Sequence, residues 1–221
     1  MSNREDTPKF PDSYIGDKSI EYNNSTWMER NQKKTTLLCL QYLLDDKLDH
    51  LGNYDVLDGN HYIIVDLGCG SGFSSEILVD SSHSCHRVIA IDILIDMLSK
   101  AKTKKKISEN KKNLELILAD INYLPLRWAS INHIISISAY NFISYGAETI
   151  RDKFKIVNNT AMYLKKILKP KGRIIIEFYP KDEKELELFA SSFNNNGFDG
   201  FIIKKNPAQK AGQTFLLLKK R

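Results

Sequence analysis

Apolar residues fall along this chain in short blocks of two kinds, and the two kinds alternate. HYIIVDLG (61–68), RVIAIDI (87–93), LELILAD (114–120), HIISISA (133–139) and GRIIIEFY (172–179) are dense runs rich in β-branched residues, which predicts buried strands. Between them, SSEILVDSS (74–82), IDMLSKAKTKK (95–105), TIRDKFKIVNNTAMYLKKIL (149–168) and DEKELELFASSFNNN (182–196) space their apolar residues with a helical period. In the third of these, Phe154, Val157, Ala161, Leu164 and Leu168 fall on one side, and Pro170 and Gly172 mark its end. Gly197 closes the fourth. FIIKK (201–205) and TFLLLKK (214–220) follow without a helix between them, which predicts an antiparallel edge hairpin. The alternation predicts an α/β fold of the Rossmann-like kind: a mostly parallel sheet, an antiparallel C-terminal hairpin and helices on both faces. Ahead of the first strand, residues 1–18 are expected to be loosely ordered. A helix starts near Ser25, with Ser25 and Thr26 as caps and Leu37, Leu40, Leu43, Leu44 and Leu48 close to helical spacing. The chain thus divides into an N-terminal arm and helix over 1–50 and one domain over 51–221.

Composition narrows this picture modestly. The 221 residues are 42% hydrophobic and 27% charged, as in an ordinary globular protein. No run approaches the roughly 20 apolar residues that span a bilayer. The N-terminus is polar, so a cytoplasmic rather than secreted protein is expected. Cys39, Cys69 and Cys85 have neither disulfide nor zinc spacing and read as reduced thiols. The net charge is +5. Basic residues cluster at KTKKKISENKK (102–112), at Lys165, Lys166, Lys169, Lys171 and Arg173, at Lys204, Lys205 and Lys210, and at the closing KKR. They read either as solvated helix ends or as a phosphate-contacting surface.

Candidate chemistry centres on VDLGCGSG (65–72), at the end of the first predicted strand. In an open parallel sheet, ligands bind beyond the carboxyl ends of the strands where strand order reverses. Gly68, Gly70 and Gly72 lack a Cβ, so a ligand can press against the backbone. The phosphate-loop spacing GxxxxGK[ST] is absent, and GxGxG preceded by Asp66 differs from the dinucleotide spacing GxGxxG. Asp92 ends the second strand, twenty positions beyond Gly72. A carboxylate there can accept both hydroxyls of a ribose, or cap the next helix. Asp120 ends the third strand beside Ile121. It can take the exocyclic amine of an adenine while Ile121 lies against the ring, or it too can cap a helix.

This arrangement resembles the class I S-adenosylmethionine-dependent methyltransferases over about residues 60–220. The resemblance implies a seven-stranded sheet, S-adenosyl-L-methionine as methyl donor, Gly68, Gly70 and Gly72 against its methionine part, Asp92 on the ribose, and Asp120 with Ile121 at the adenine. It extends the cofactor-facing set to Asp66, Ile93 and Ser138. After the fourth strand, ISISAYNFI (135–143) lacks the [DN]PPY motif used on exocyclic amines, which disfavours adenine-N6 or glutamine methylation. No metal constellation is visible, which disfavours catechol-type chemistry.

A narrower resemblance rests on SISA followed by an aromatic, FYP (178–180), and NGFDGF followed by P-x-x-K-A (207–211). These are similar to the ribosome-biogenesis methyltransferases that make N7-methylguanosine in small-subunit rRNA. EYNNSTWMERNQKKTTLLCLQYLL is similar to that family's arm through Tyr22, Ser25 and Gln32. Phe142 stands where eukaryotic members have a tryptophan, Trp27 where an arginine is common, and the sequence ends at Arg221 without their basic extension. Guanine N7 carries a free lone pair, so no general base is required. A flipped or splayed base would stack on an aromatic side chain. The candidates are Tyr140 and Phe142, with Asn141 on a base edge and Tyr179 as a further wall; core packing is the alternative for Phe142. Tyr22 and Gln32 would close over the cofactor as a lid, or belong to a surface arm without ligand contact. The eukaryotic family also resembles a group that needs a small zinc-binding activator subunit, which extends the sheet beside the third strand. LELILAD would be that exposed edge.

Two other classes share these residues. A small-molecule methyltransferase for a quinone or lipid precursor would keep the whole cofactor half and bind no RNA in a salt-sensitive way. A non-catalytic RNA- or protein-binding module would keep the fold but has no need of Asp92 and Asp120. An NAD-dependent oxidoreductase is weakened by the glycine spacing.

Overall fold

A computed structural model describes residues 9–43, 62–80, 86–107, 111–205 and 212–221. Two helices, α1 (Gly16–Asn24) and α2 (Thr26–Leu43), come first. The alternating part then runs β1 (Tyr62–Leu67), α3 (Phe73–Asp80), β2 (His86–Asp92), α4 (Ile95–Ile107), β3 (Leu114–Leu118), β4 (Ile131–Ile137), α5 (Ile150–Ile167), β5 (Leu168–Phe178), α6 (Glu183–Asn195), β6 (Phe198–Lys205) and β7 (Gln213–Lys220). The strands form one sheet in the order β3-β2-β1-β4-β5-β7-β6. β1 to β5 are mutually parallel, and β7 runs antiparallel to both β5 and β6. The predicted α/β fold and its C-terminal hairpin are therefore present, with β7 inserted beside β5 and β6 left as the edge.

The apolar blocks bury both faces. Ile174, Ile176 and Phe178 of β5 pack with Val157, Ala161 and Leu164 of α5 and with Phe189 and Phe193 of α6. On the other face Ile135, Ile137, Ile175 and Leu217 meet Cys39 and Leu43 of α2, Leu78 of α3 and Leu98 of α4. Strand order reverses between β1 and β4, which opens a crevice at their carboxyl ends.

Several expectations need correction. Residues 9–18 are not loose: a 3-10 turn (Asp12–Tyr14) leads directly into α1, which carries too few apolar residues to signal itself. Ser25 does cap α2, accepting from the Met28 N–H at 3.2 Å. Pro170 and Gly172 lie inside β5, where a register shift against Ile131 and His133 absorbs the extra residues. Phe154, one turn into α5, is 44% exposed, because that end of the helix lies at the rim of the sheet. Arg173 belongs to no phosphate-contacting surface. It is buried, and its guanidinium donates to the Leu43 carbonyl of α2 (2.6 Å). Cys39 and Cys69 are buried free thiols. Leu44, Leu48, Cys85, Lys210 and the 207–211 motif lie outside the described residues. No helix among the described residues is long and apolar enough to cross a membrane.

Candidate active site

The glycine loop takes its shape from β2. The Gly68 and Cys69 N–H groups both donate to the Ile91 carbonyl (2.8 and 2.9 Å), which turns the chain sharply off β1. Gly68 (φ +77°) and Gly70 (φ +55°) adopt backbone that favours glycine. A Cβ on Gly68 would lie 2.2 Å from the Ala139 Cβ, and one on Gly70 3.3 Å from the Met97 Cε. Gly72 then accepts the Glu76 N–H as α3 begins.

Three carboxyl groups surround this loop. Asp92 accepts the Gly70 N–H on Oδ2 and the Leu94 N–H on Oδ1, both at 2.8 Å. The Ile93 N–H bonds the same carboxyl, which still retains acceptor capacity for a further donor. Asp66 is fully buried; its Oδ2 accepts the hydroxyls of Ser74 (2.7 Å) and Ser75 (2.5 Å), while Oδ1 has no partner. Burial pushes its pKa up to about 6 against those two hydrogen bonds, and Asp92 adds repulsion. Burial raises Asp92 as well. Asp120 caps no helix: its Oδ1 takes the backbone and side-chain N–H groups of Asn122 (2.8 and 3.1 Å), fixing a turn. Ile121 borders the loop, its Cδ1 3.7 Å from where a Gly68 Cβ would stand. Ile93 is half exposed beside Asp92.

The N-terminal arm lies over this loop through Tyr22 and Gln32, named from the sequence, and through contacts at Gly16, Asn23 and Lys104 that sequence reading missed. The Gly16 N–H donates to Asp96 Oδ2 (2.7 Å), tying the start of α1 to α4. Lys104 Nζ donates to Asn23 Oδ1 (2.7 Å) and to the Ser71 carbonyl (2.9 Å) and sits 3.5 Å above the Phe73 ring. Lys104 is therefore a brace rather than part of a phosphate-contacting surface, and burial lowers its pKa to about 8. Tyr22 stacks on Phe73 with centroids 6.2 Å apart. Gln32 of α2 reaches the Ser138 hydroxyl at 3.5 Å, and Lys33 pairs with Glu29 and Glu76.

On the far side of the crevice, beyond β4 and β5, two candidates change role. Tyr140 presents no ring face. It is fully buried against Phe189 and Phe193, because the 3-10 turn at Tyr140–Phe142 points it into the core under α6. Asn141 is occupied: its Nδ2 donates to the Tyr179 carbonyl (2.6 Å) and its Oδ1 accepts the Tyr179 N–H (3.0 Å). It pins the backbone after β5 and does not offer its amide to a base edge. Phe142 is partly buried beneath the arm, stacked on Phe10 (5.0 Å, 20°) and edge-on to Tyr14 (5.8 Å). Tyr179 remains 42% exposed. Ser138 has φ +55° and donates its hydroxyl to Glu177 Oε2 (2.7 Å). Glu177 is fully buried, and Tyr179, Ser138 and Gln213 all hydrogen-bond its carboxyl. Its only sequence signal is one acidic residue at the end of an otherwise apolar strand. Phe10 and Tyr14 carry no signal at all.

Comparison with known proteins agrees with this geometry. The 18S rRNA (guanine-N(7))-methyltransferase of Schizosaccharomyces pombe is 29% identical over 156 residues, covering 70% of this chain and 55% of that protein. The 18S rRNA (guanine(1575)-N(7))-methyltransferase of Saccharomyces cerevisiae is 27% identical over 198 residues, covering 89% of this chain and 64% of that protein. The chain thus spans between half and two thirds of the length of these relatives. A solved S-adenosylmethionine-dependent methyltransferase from Methanosarcina mazei superposes with a TM-score of 0.58 at 15% identity, over 77% of this chain and 99% of that one, which shows the shared fold. The family model described as a methyltransferase domain matches residues 58–214, a span that holds the glycine loop, Asp92, Asp120 and the β1–β4 crevice, and the chain belongs to that family.

Proposed function

We propose that this chain transfers a methyl group from S-adenosylmethionine to N7 of a guanine in small-subunit rRNA. The observation that carries the reading is the glycine loop closed onto Asp92, in a chain whose curated relatives are named for that reaction. The residues present fit the methyl donor. Asp66 Oδ1 is a buried acceptor without a partner, Gly70 leaves the loop without a Cβ that would crowd Met97, and Asp92 keeps acceptor capacity for a further hydroxyl. When bound, the sulfonium supplies a methyl group activated by positive charge. Asp92 would hold the ribose, Asp120 and Ile121 the adenine, with Ile93 beside them and Ser138 at the methionine end.

The chain's own work is then alignment and exclusion of water, since N7 needs no deprotonation. Tyr179 and Phe142 are the open or arm-covered aromatic faces for a base. Arm residues 9–43 act as the lid, with Tyr22, Gln32 and the Lys104 brace holding them over the loop. Strand addition by a small zinc-binding subunit at β3 belongs to the same proposal. It is supported by β3 lying at the sheet edge with Leu118 exposed, next to a cavity of about 460 Å³ lined by Lys102, Lys105, Lys106, Glu115 and Leu116. If the purified chain alone is soluble, monodisperse and fully active, that part fails.

The test is transfer of labelled methyl from S-adenosylmethionine to small ribosomal subunits and, in parallel, to a small-molecule extract, with Asp92→Ala as control. Label in rRNA at guanine N7, lost in the control, is the expected result. The aromatic cover of Phe10, Tyr14 and Phe142 is the one observation that favours a small apolar acceptor instead, and label only in the extract would move the protein to that class.

A further inference from the structure

Among the described residues, Glu177 is a fully buried carboxyl without a cationic partner. It lies fully buried at the carboxyl end of β5, on the face covered by α2. Ser138 and Gln213 donate to it at 2.7 and 3.3 Å, and the Tyr179 hydroxyl hydrogen-bonds the same carboxyl. No cation among the described residues pairs with it, although burying an uncompensated carboxylate is costly. Gln213 continues to Thr35 (2.9 Å), and the Ser138 hydroxyl meets Gln32, so the group is also tied to the arm helix. In front of it stands Tyr179. The Tyr179 backbone is held by both ends of the Asn141 amide and its hydroxyl by Glu177, yet the residue is 42% exposed. A fixed, partly exposed aromatic residue backed by a carboxyl group with no cationic partner among the described residues is a receptor for a cation.

The proposed reaction creates one. As the N7 lone pair forms the new N–C bond, the C–S bond breaks and its electron pair stays on sulfur. No proton leaves, and the positive charge carried by sulfur ends on the imidazole ring of the base. Transfer to an exocyclic amine would instead release a proton and leave a neutral base. Preorganised charge placed where charge develops lowers the barrier selectively.

We propose that Glu177 is a positioning residue that acts through Tyr179 to stabilise the positive charge arriving on the methylated purine. This rests on the guanine-N7 reading given above. The test compares a short single-stranded RNA holding one guanosine with the same RNA holding 7-methylguanosine, titrated into the protein saturated with S-adenosylhomocysteine. Phosphate contacts cancel between the two. The wild type is expected to prefer the methylated, cationic RNA. Glu177→Gln keeps the size and the hydrogen-bond acceptor and is expected to lose that preference by about tenfold. Its affinity for the unmodified RNA and for S-adenosylhomocysteine stays unchanged, and kcat falls with KM constant. Tyr179→Phe, which cuts the link but keeps the ring, is expected to lie between the two. It serves as the second probe if Glu177→Gln binds S-adenosylhomocysteine poorly. A wild type without preference, or either folded variant retaining the full preference, overturns the proposal. If label maps to another atom while the charge preference persists and depends on Glu177, the cation site stands and the rRNA reading falls.

Discussion

The two sides of the crevice are held in different ways. Around the glycine loop the contacts are made by backbone: Gly68 and Cys69 to Ile91, Gly70 and Leu94 to Asp92, all within 27 residues of one βαβ unit. Across from it, the acceptor side is assembled by side chains from α2, the β4 loop, β5 and β7: Gln32, Ser138, Asn141, Glu177, Tyr179 and Gln213. Phe10 and Tyr14 close it from the arm. Backbone contacts need particular φ values and the absence of Cβ atoms, so they leave little room for alternatives. Side-chain networks are satisfied by many residue sets, so the acceptor side is the half free to be retuned for a different substrate. The two halves touch where Gly68 faces Ala139.

That seam is where the contrast breaks most easily. Gly68→Ala puts a Cβ 2.2 Å from the Ala139 Cβ on left-handed backbone. Overpacking and strain together are expected to cost about 4 kcal/mol, a fall in Tm of roughly 8–16 °C. Thermal melts check this, and Ala139→Gly in the same chain should restore part of the loss by removing the clash but not the φ cost.

On the glycine-loop side the pH response centres on Asp66. Burial makes the folded chain hold the Asp66 proton more tightly than the unfolded chain does, with a pKa of about 6 against 3.8. Its contribution to stability is therefore fully present below about pH 4 and lost as pH rises through about 6, by at most about 3 kcal/mol. The stability of the wild type minus that of Asp66→Asn should fall across that window. A flat difference would mean the carboxyl is not desolvated. Glu177, raised by burial too, is common to both proteins and cancels, whereas Asp92 loses its repulsion with Asp66 in the variant.

The acceptor side alone answers to Asn141→Ala. Two hydrogen bonds to the Tyr179 backbone vanish, at an expected cost of about 1–2 kcal/mol. Methyl transfer to RNA should drop while S-adenosylhomocysteine affinity, measured by calorimetry, stays within about twofold. Equal loss of both would show that the halves are one mechanical unit.

Legibility follows the same division. Each strand announced itself as a dense apolar run, since a parallel strand must be apolar on both faces. The glycines and Asp92 stood at strand ends where their local requirement is visible in eight residues of sequence. Tyr140 and Asn141 looked equivalent to Tyr179 in sequence, because all three follow strands at the same end of the sheet. Which of them faced the core, the neighbouring loop or the crevice depended on the path of a three-residue turn under α6. The arm's α1 gave no periodic signal because it packs on α4 and the glycine loop through single contacts at Gly16, Tyr22 and Asn23.

Local rules were therefore enough for the fold and for the shape of the glycine loop, because apolar periodicity and glycine backbone act over a few residues of chain. The acceptor side was settled by folding. Glu177 gains two of its three side-chain partners from residues 36 and 39 positions away in the chain, and Phe142 is covered by a ring 132 positions upstream. Contacts at such separations are set by how strands and helices pack together, and no short stretch of sequence carries them.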